Sequence, residues 1–538
     1  MFNRTAALQR PGPQTAQAGR VLVPVKGVNT IPALSNLGPE ECHYAYNIVP
    51  SEGGLRTRLG QAEWTNGVTG SVRTIIPFHG KAADGSGDKL FATGSDGIYN
   101  CSTAGASQAA KVETFATTGS TAGYGPFINW TNDAGAQFLQ YADSANGLLE
   151  YDPATGAPGD WIAVTSITGI TETNIRFVTV HKLRIWYCLA DNPNPYYLPV
   201  RSKTGAAAAF NLASQYTIGG DCAGVFTLSH DSGDGPDDYF VAVSRGGDVL
   251  MYQGDDPSSD DTWGLVGRWQ IGAIPAGRKF AIEYGGDVLI LSAHGLVSVK
   301  ELMAGYESIE NVNSLVGKVA APIRKRMTNE ITSDGWEVVL FESDGYLVIQ
   351  SPQRAGDSDE WTHYVLSTPQ KGWGFWRDVE SISMGKYKGQ MYYGRSNGSV
   401  WRMTGSRDNV TIADTTGQGI EFSLLTGYSD VGHPGLQKMG ALVRPFFTSA
   451  ATLEYDTKIL YDFNVSELAS SGDTGVTPGS KWDAGKWDAA LWSGDATYDS
   501  MFGAGGIGVS LAVAIRGTTT SRSTLNEITA AFQVGSYL

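Results

Sequence analysis

The feature that most constrains this chain is a short hairpin that returns about every fifty residues. In each copy an apolar run meets a tight turn and a second apolar run leaves it. Leu90-Phe91-Ala92-Thr93 passes through Ser95-Asp96-Gly97 to Ile98-Tyr99, and Phe138-Leu139-Gln140-Tyr141 passes through Ala145-Asn146-Gly147 to Leu148-Leu149. Leu183–Tyr187 reaches Tyr196-Tyr197-Leu198 by way of Asp191-Asn192-Pro193-Asn194-Pro195. Tyr239–Val243 turns at Arg245-Gly246-Gly247-Asp248, Val288–Leu291 at His294-Gly295, Val338–Phe341 at Ser343-Asp344-Gly345, and Met391-Tyr392-Tyr393 at Ser396-Asn397-Gly398. Gly supplies the positive φ that primed hairpin turns need. A sandwich would place turns every 8–12 residues without a long period, whereas about fifty residues is the size of one four-stranded propeller blade. The expected fold is therefore mainly β: a β-propeller of five to seven blades. Composition agrees, because 68 Gly, 24 Tyr and 14 Trp with only 17% charged residues suit many short strands and tight turns.

Three segments depart from the period. Residues 1–72 read as an N-terminal arm and platform, with a short helical or irregular stretch around Pro39 to Asn47. Within the propeller, expected over 73–411, an insertion at about 304–331 is helical. Its Ile309, Val312, Val316, Val319 and Ile323 share one stripe, Pro322 should interrupt it, and Arg324-Lys325-Arg326 should close it. Residues 412–538 read as a separate β-rich module, with alternation as in Leu453–Leu460.

The formal net charge of −15 argues against an extended basic surface that grips nucleic acid, but does not exclude a wall past which DNA must slide, because an acidic lining repels phosphate. Arg324, Lys325 and Arg326 are the candidate DNA contacts, although favourable cations at a helix C-terminus are the better explanation of them. Cys42, Cys101, Cys188 and Cys222 are too far apart for a metal knuckle and read as reduced thiols. No secretory h-region and no membrane-length apolar run is present. The seven histidines are dispersed, without HExxH, and there is no GxSxG or Walker A loop. Ser229-His230-Asp231 reads as a turn, since triads assemble in space.

Asp231, Asp234 and Asp237 could offer carboxylates to Ca²⁺, but the loop lacks EF-hand spacing and its closing Glu, so no metal or cofactor is expected. The Asp255–Trp263 loop loosely resembles the Asp-box turn of sialidase-type propellers without its Gly. The cluster Lys371, Trp373, Phe375, Trp376 and Arg377 reads as blade packing. Trp482 and Trp487, from the tandem Lys481-Trp482-Asp483-Ala484-Gly485 and Lys486-Trp487-Asp488-Ala489-Ala490, and Trp492 just after it read as packing or interface anchors. No catalytic constellation is found, and the expectation is a protein that is not an enzyme.

Several stretches nevertheless resemble a known family. They include Leu250-Met251-Tyr252-Gln253-Gly254-Asp255-Asp256-Pro257, Thr262-Trp263-Gly264, Gly277-Arg278-Lys279-Phe280, Tyr284-Gly285-Gly286-Asp287 and His294-Gly295-Leu296-Val297. Near the ends lie Gly27-Val28-Asn29, Ala45-Tyr46-Asn47-Ile48-Val49-Pro50, Gly506-Ile507-Gly508 and Phe532-Gln533-Val534-Gly535. Together they are similar to the β-propeller tail nozzle proteins of short-tailed bacteriophages, also called tail tubular or packaged-DNA-stabilising proteins. The resemblance spreads over nearly the whole chain as loose motifs. It implies a virion protein assembled in the host bacterial cytoplasm into a homo-oligomeric ring, a hexamer by family expectation. Such a ring sits below the portal and adaptor, continues the channel for double-stranded DNA, and carries tail fibres or spikes. The alternative from another class is a carbohydrate-active or carbohydrate-binding propeller, either sialidase-like or a depolymerase.

Overall fold

A computed structural model of the chain describes residues 17–132, 134–154, 161–231, 236–259, 262–305, 317–352, 361–451, 453–469 and 496–537. The chain divides into two compact units. One holds Leu59–Lys371 and Phe375–Gln418, and the other holds Met1–Arg58, Gly372–Gly374 and Gly419–Leu538.

The larger unit is the propeller. Each of the seven hairpins read from the sequence falls in a different sheet. Blade one comprises Thr74–Phe78, Lys89–Thr93, Gly97–Asn100 and Ala110–Thr114, and blade two Phe127–Thr131, Gln137–Asp143, Gly147–Tyr151 and Trp161–Ala163. Blade three is Ile175–His181, Arg184–Leu189, Tyr196–Tyr197 and Ala208–Ala209, and blade four Cys222–Asp231, Pro236–Ser244, Asp248–Gly254 and Trp263–Gln270. The fifth sheet has three strands, Ala281–Tyr284, Asp287–Ser292 and Gly295–Ser298. The chain then enters helix α1 (Val299–Met303), capped by the Ser298 hydroxyl accepting from Glu301 N at 3.1 Å, and among the described residues no fourth strand joins this sheet. Blade six is Glu337–Phe341, Tyr346–Gln350, Thr362–Ser367 and Gly372–Arg377. Blade seven takes Ser383–Tyr387, Gln390–Gly394 and Val400–Met403 from one end of the propeller sequence and Gln61–Thr65 from the other. The described residues thus make six four-stranded blades and one three-stranded sheet.

The closing strand pairs Thr65 with Val400 and Gln61 with Met403, so residues more than three hundred apart in sequence fasten the ring. Aromatic side chains fill the space between blades. Phe91 and Trp161 stand edge-to-face at 5.2 Å, Phe78 and Tyr151 at 5.0 Å, and all four are buried between blades one and two. Each such side chain removed from water contributes about 2 kcal/mol. Gly247 shows why the hairpins need glycine. Its φ is 99°, and a Cβ there would lie 2.1 Å from the Gly272 carbonyl oxygen.

The other unit is woven from both ends of the sequence. Leu436–Ser449 pairs along Ser523–Tyr537, whose other side receives Gln17–Val21 and Gly54–Thr57. A second sheet orders Cys42–Tyr46, Ile420–Thr426, Leu511–Thr519 and Leu453–Tyr461. The two sheets meet at Phe447, fully buried, with its ring 5.8 Å from Phe422 and 5.1 Å from Tyr455.

This organisation differs from boundaries at 72 and 412. Residues 61–65 belong to the propeller because their backbone completes blade seven, and residues 1–58 share sheets with 419–538. The stretch expected to be helical or irregular before Asn47 contains strand Cys42–Tyr46. Ser229-His230-Asp231 is not a turn; it ends strand Cys222–Asp231. Helix α2 runs Ala320–Glu330, with Val319 and Ile323 buried, and Ile309, Val312 and Val316 lie outside the described residues. Pro322 does not interrupt this helix. It occupies the first turn, where its missing N–H would have had no partner within the helix. Arg324, Lys325 and Arg326 therefore sit mid-helix and do not close it.

Candidate functional site

The chain enters every sheet of the propeller through the strand that packs against its neighbours around the ring, so all seven entries gather at one mouth. At those entries stand Arg73, Tyr124, Arg176, Asp221, Arg278, Asp334 and Glu380, one per sheet. Four of them, Arg73, Tyr124, Arg278 and Asp334, with Thr74, Gly125, Lys279, Gly335, Trp336, Glu337 and Ile382, line a single depression of about 20 Å³, room for a water or two.

Two polar bridges span this mouth. Arg278 donates to the Tyr124 carbonyl, linking blade five to blade two, and the Arg73 guanidinium lies 5.3 Å from the centre of the Tyr124 ring. Arg73 also donates to the carbonyls of Gly119, at 2.5 Å, and Ala122. Deeper, Lys279 Nζ donates to the Met384 carbonyl at 2.8 Å and lies 3.5 Å from Glu337 Oε1. Glu337 accepts in turn from Ser383 Oγ at 3.1 Å and from Met384 N at 2.7 Å. These contacts tie the fifth sheet to blade two and to blades six and seven.

The acidic entries are mostly engaged. Asp221 lies 3.8 Å from Arg245 Nε and Glu380 lies 3.7 Å from Arg395 Nε. Asp334 is exposed. By contrast Arg73, Arg176 and Arg278 have backbone carbonyls as partners, and no carboxylate within ion-pair distance among the described residues. Burial, and then the like charge of Arg278, lower the pKa of Arg176, and burial lowers that of Arg245. Burial raises that of Tyr124.

The residues singled out from sequence fall elsewhere. Asp231 ends the strand Cys222–Asp231 and Asp237 is the second residue of Pro236–Ser244; their side chains and the whole of Asp234 lie outside the described residues. Among the described residues no group of three or more His, Cys, Asp or Glu could hold a metal. Trp482, Trp487 and Trp492 lie outside the described residues. Arg324 and Lys325 are exposed on α2, while Arg326 is half-buried and donates to the Pro352 carbonyl at 2.8 Å, a structural tie. Trp373, Phe375 and Trp376 are buried, as packing requires. Asp255 and Asp256 of the Asp-box-like loop pair with Lys182 at 2.6 Å and Arg184 at 3.3 Å. No helix among the described residues is long and apolar enough to cross a membrane.

No protein-family model matches the chain, and no curated protein matches it. Solved structures with some likeness include the crystal structure of the computationally designed Ika8 protein. It is 10% identical, covers 64% of this chain and 100% of that one, and gives a TM-score of 0.33. Sqt1 of Saccharomyces cerevisiae is 12% identical over 68% of this chain and 96% of its own, with a TM-score of 0.38. At such scores neither likeness carries an argument, and the propeller rests on the sheets themselves.

The entry residues escaped the sequence reading because they recur once per blade with no local motif. A signal was nonetheless there: Arg73, Arg176 and Arg278 each stand at the start of the apolar run that precedes a repeated hairpin.

Proposed function

We propose that this chain is a structural virion protein, a subunit of the ring-shaped tail nozzle of a short-tailed phage. In that role it continues the DNA channel below the portal and adaptor, retains the packaged DNA and anchors fibres or spikes. The observation that carries the reading is the engaged propeller mouth, where Asp221, Glu380 and Glu337 are held by other groups of the chain. A hydrolytic propeller needs an open mouth with two carboxylates free to act on a glycosidic bond. Here Arg278 reaches across to Tyr124, Glu337 is held by Lys279, Ser383 and Met384, and Asp221 and Glu380 face arginines. What remains is a rigid block.

The second unit adds a surface suited to association between copies. Met439, Leu442 and Ile507, on Leu436–Ser449 and the short strand Ile507–Gly508 paired with it, are 42%, 42% and 58% exposed. Apolar side chains grouped on an outward strand gain from being covered by another copy. In this arrangement DNA runs along a lumen enclosed by several copies, past surfaces that the net charge of −15 keeps from trapping phosphate. Imaging of virions of the phage that encodes the chain tests the proposal. Antibody label at the tail supports it, and label absent from the tail, or turnover of capsule glycans by the purified protein, overturns it.

A further inference from the structure

Two of the four cysteines meet across the junction of blades three and four, and their pairing is independent of the nozzle reading. Cys188 stands in the second strand of blade three, opposite Phe177, and Cys222 opens the first strand of blade four, opposite Ser244. Their Sγ atoms lie 3.3 Å apart, and both side chains are fully buried. The local backbone sets this approach. A bulge between Cys222 and Gly224 re-aims the side chain at the start of its strand. Cys222 N donates to the Asn192 carbonyl at 2.9 Å, which fastens that strand to the turn just after Cys188. A buried Cys packs as a small hydrophobe and asks for no partner, so two sulfurs in contact from different blades are more than packing requires. A disulfide bond is about 2.0 Å long, which leaves the sulfurs about 1.3 Å to travel, within reach of small rotations about the two Cα–Cβ bonds.

We propose that Cys188 and Cys222 are an oxidative modification site, which hydrogen peroxide converts to a disulfide that staples blade three to blade four. First, one thiol sulfur attacks the peroxide, becomes a sulfenic acid and releases water. The other thiol sulfur then attacks the sulfenic sulfur, the S–S bond forms and a second water leaves. The two thiols lose two electrons and two protons, and the peroxide is reduced to two waters. The bond closes a loop of about 35 residues in the unfolded chain, and this constraint favours the folded state. Burial raises the Cys188 thiol and keeps it neutral, so the first step is slow in the closed structure and proceeds when the strand ends open.

Peptide mapping of the full chain tests the site. The protein is incubated with hydrogen peroxide in urea below its unfolding transition, where local opening admits the oxidant, then alkylated and digested with trypsin without reductant. Cleavage after Arg184, Arg201, Lys203 and Arg245 puts the two cysteines on separate peptides, 185–201 and 204–245. The expected product is these two peptides joined, lighter by two hydrogens than their sum. After removal of urea and peroxide, the melting temperature of the oxidised protein should fall by about 5 °C when dithiothreitol reopens the bond, a readout that methionine oxidation does not move. Cys188→Ser should give neither the joined peptide nor the dithiothreitol-dependent fall, and Cys222→Ala takes its place should that variant fail to fold. Thiols consumed without joining these peptides, no joined peptide at all, or a joined peptide whose reduction leaves the melting temperature unchanged, overturns the staple.

Discussion

His181 should make the propeller sensitive to mild acid. It ends the first strand of blade three with its side chain almost fully buried, Nδ1 3.0 Å from Thr227 Oγ1 and its ring edge-on to Phe240 at 5.4 Å and Trp263 at 6.0 Å. Its Nε2 has no partner among the described residues. Burial, aided by the Lys182 charge, lowers its pKa from 6.5 to about 4. The folded state therefore keeps this imidazole neutral where the unfolded chain would protonate it. With the folded pKa below the unfolded one, stability is lost as pH falls through 6.5 and the loss levels off below about 4. From pH 7 to pH 5 this one group should cost about 2 kcal/mol, out of a limit of about 3 kcal/mol. Other groups titrate too, so the quantity to measure is a difference. Urea unfolding of wild type and His181→Phe at both pH values, followed by tryptophan fluorescence, supplies it. The variant should lose about 2 kcal/mol less than the wild type over that interval. Equal losses would refute a buried, neutral His181.

Lys438→Met should destabilise the β-rich unit by about 3 kcal/mol in chemical denaturation. The buried ammonium donates to the carbonyls of His433 at 2.6 Å, Leu436 at 3.0 Å and Val509 at 2.7 Å, and the variant leaves them without this donor. All four cysteines are buried, with the Cys101 thiol pushed up to about 12 and that of Cys188 well above its usual range. A thiol-specific chromogenic disulfide should therefore label none of them in the native protein and all four in urea. Gly247→Ala should cost at least about 2 kcal/mol in the same denaturation assay, from a strained positive φ and a clash with Gly272.

The hairpins were legible because each is local. An apolar run, a Gly turn such as Asp344-Gly345 with φ 68° at the glycine, and a second run specify a strand pair without reference to the rest of the chain. What closes the ring was not, since Gln61–Thr65 looks like any short strand until Val400–Met403 is brought beside it. The union of 1–58 with 419–538 is hidden for the same reason. Cys42–Tyr46 does not show its strand character in the sequence because it lies between Pro39 and Asn47 and is only five residues long. Arg324-Lys325-Arg326 imitates a helix C-terminus, but Met327 and Glu330 are buried further along and carry α2 another turn. The mouth was invisible for a different reason: its members are single residues about one blade apart, and only ring closure gathers them.

Arg278, Tyr124, Lys279 and Glu337 make contacts with one another's blades at the propeller mouth, and on the proposed nozzle reading the DNA channel is formed between copies of the chain. An electron cryo-microscopy reconstruction of the virion tail tests this most directly. Several copies of the chain are expected in a ring, with the DNA path running between copies and not through any one propeller. A tail without this chain, or DNA density threading a single propeller, would contradict it.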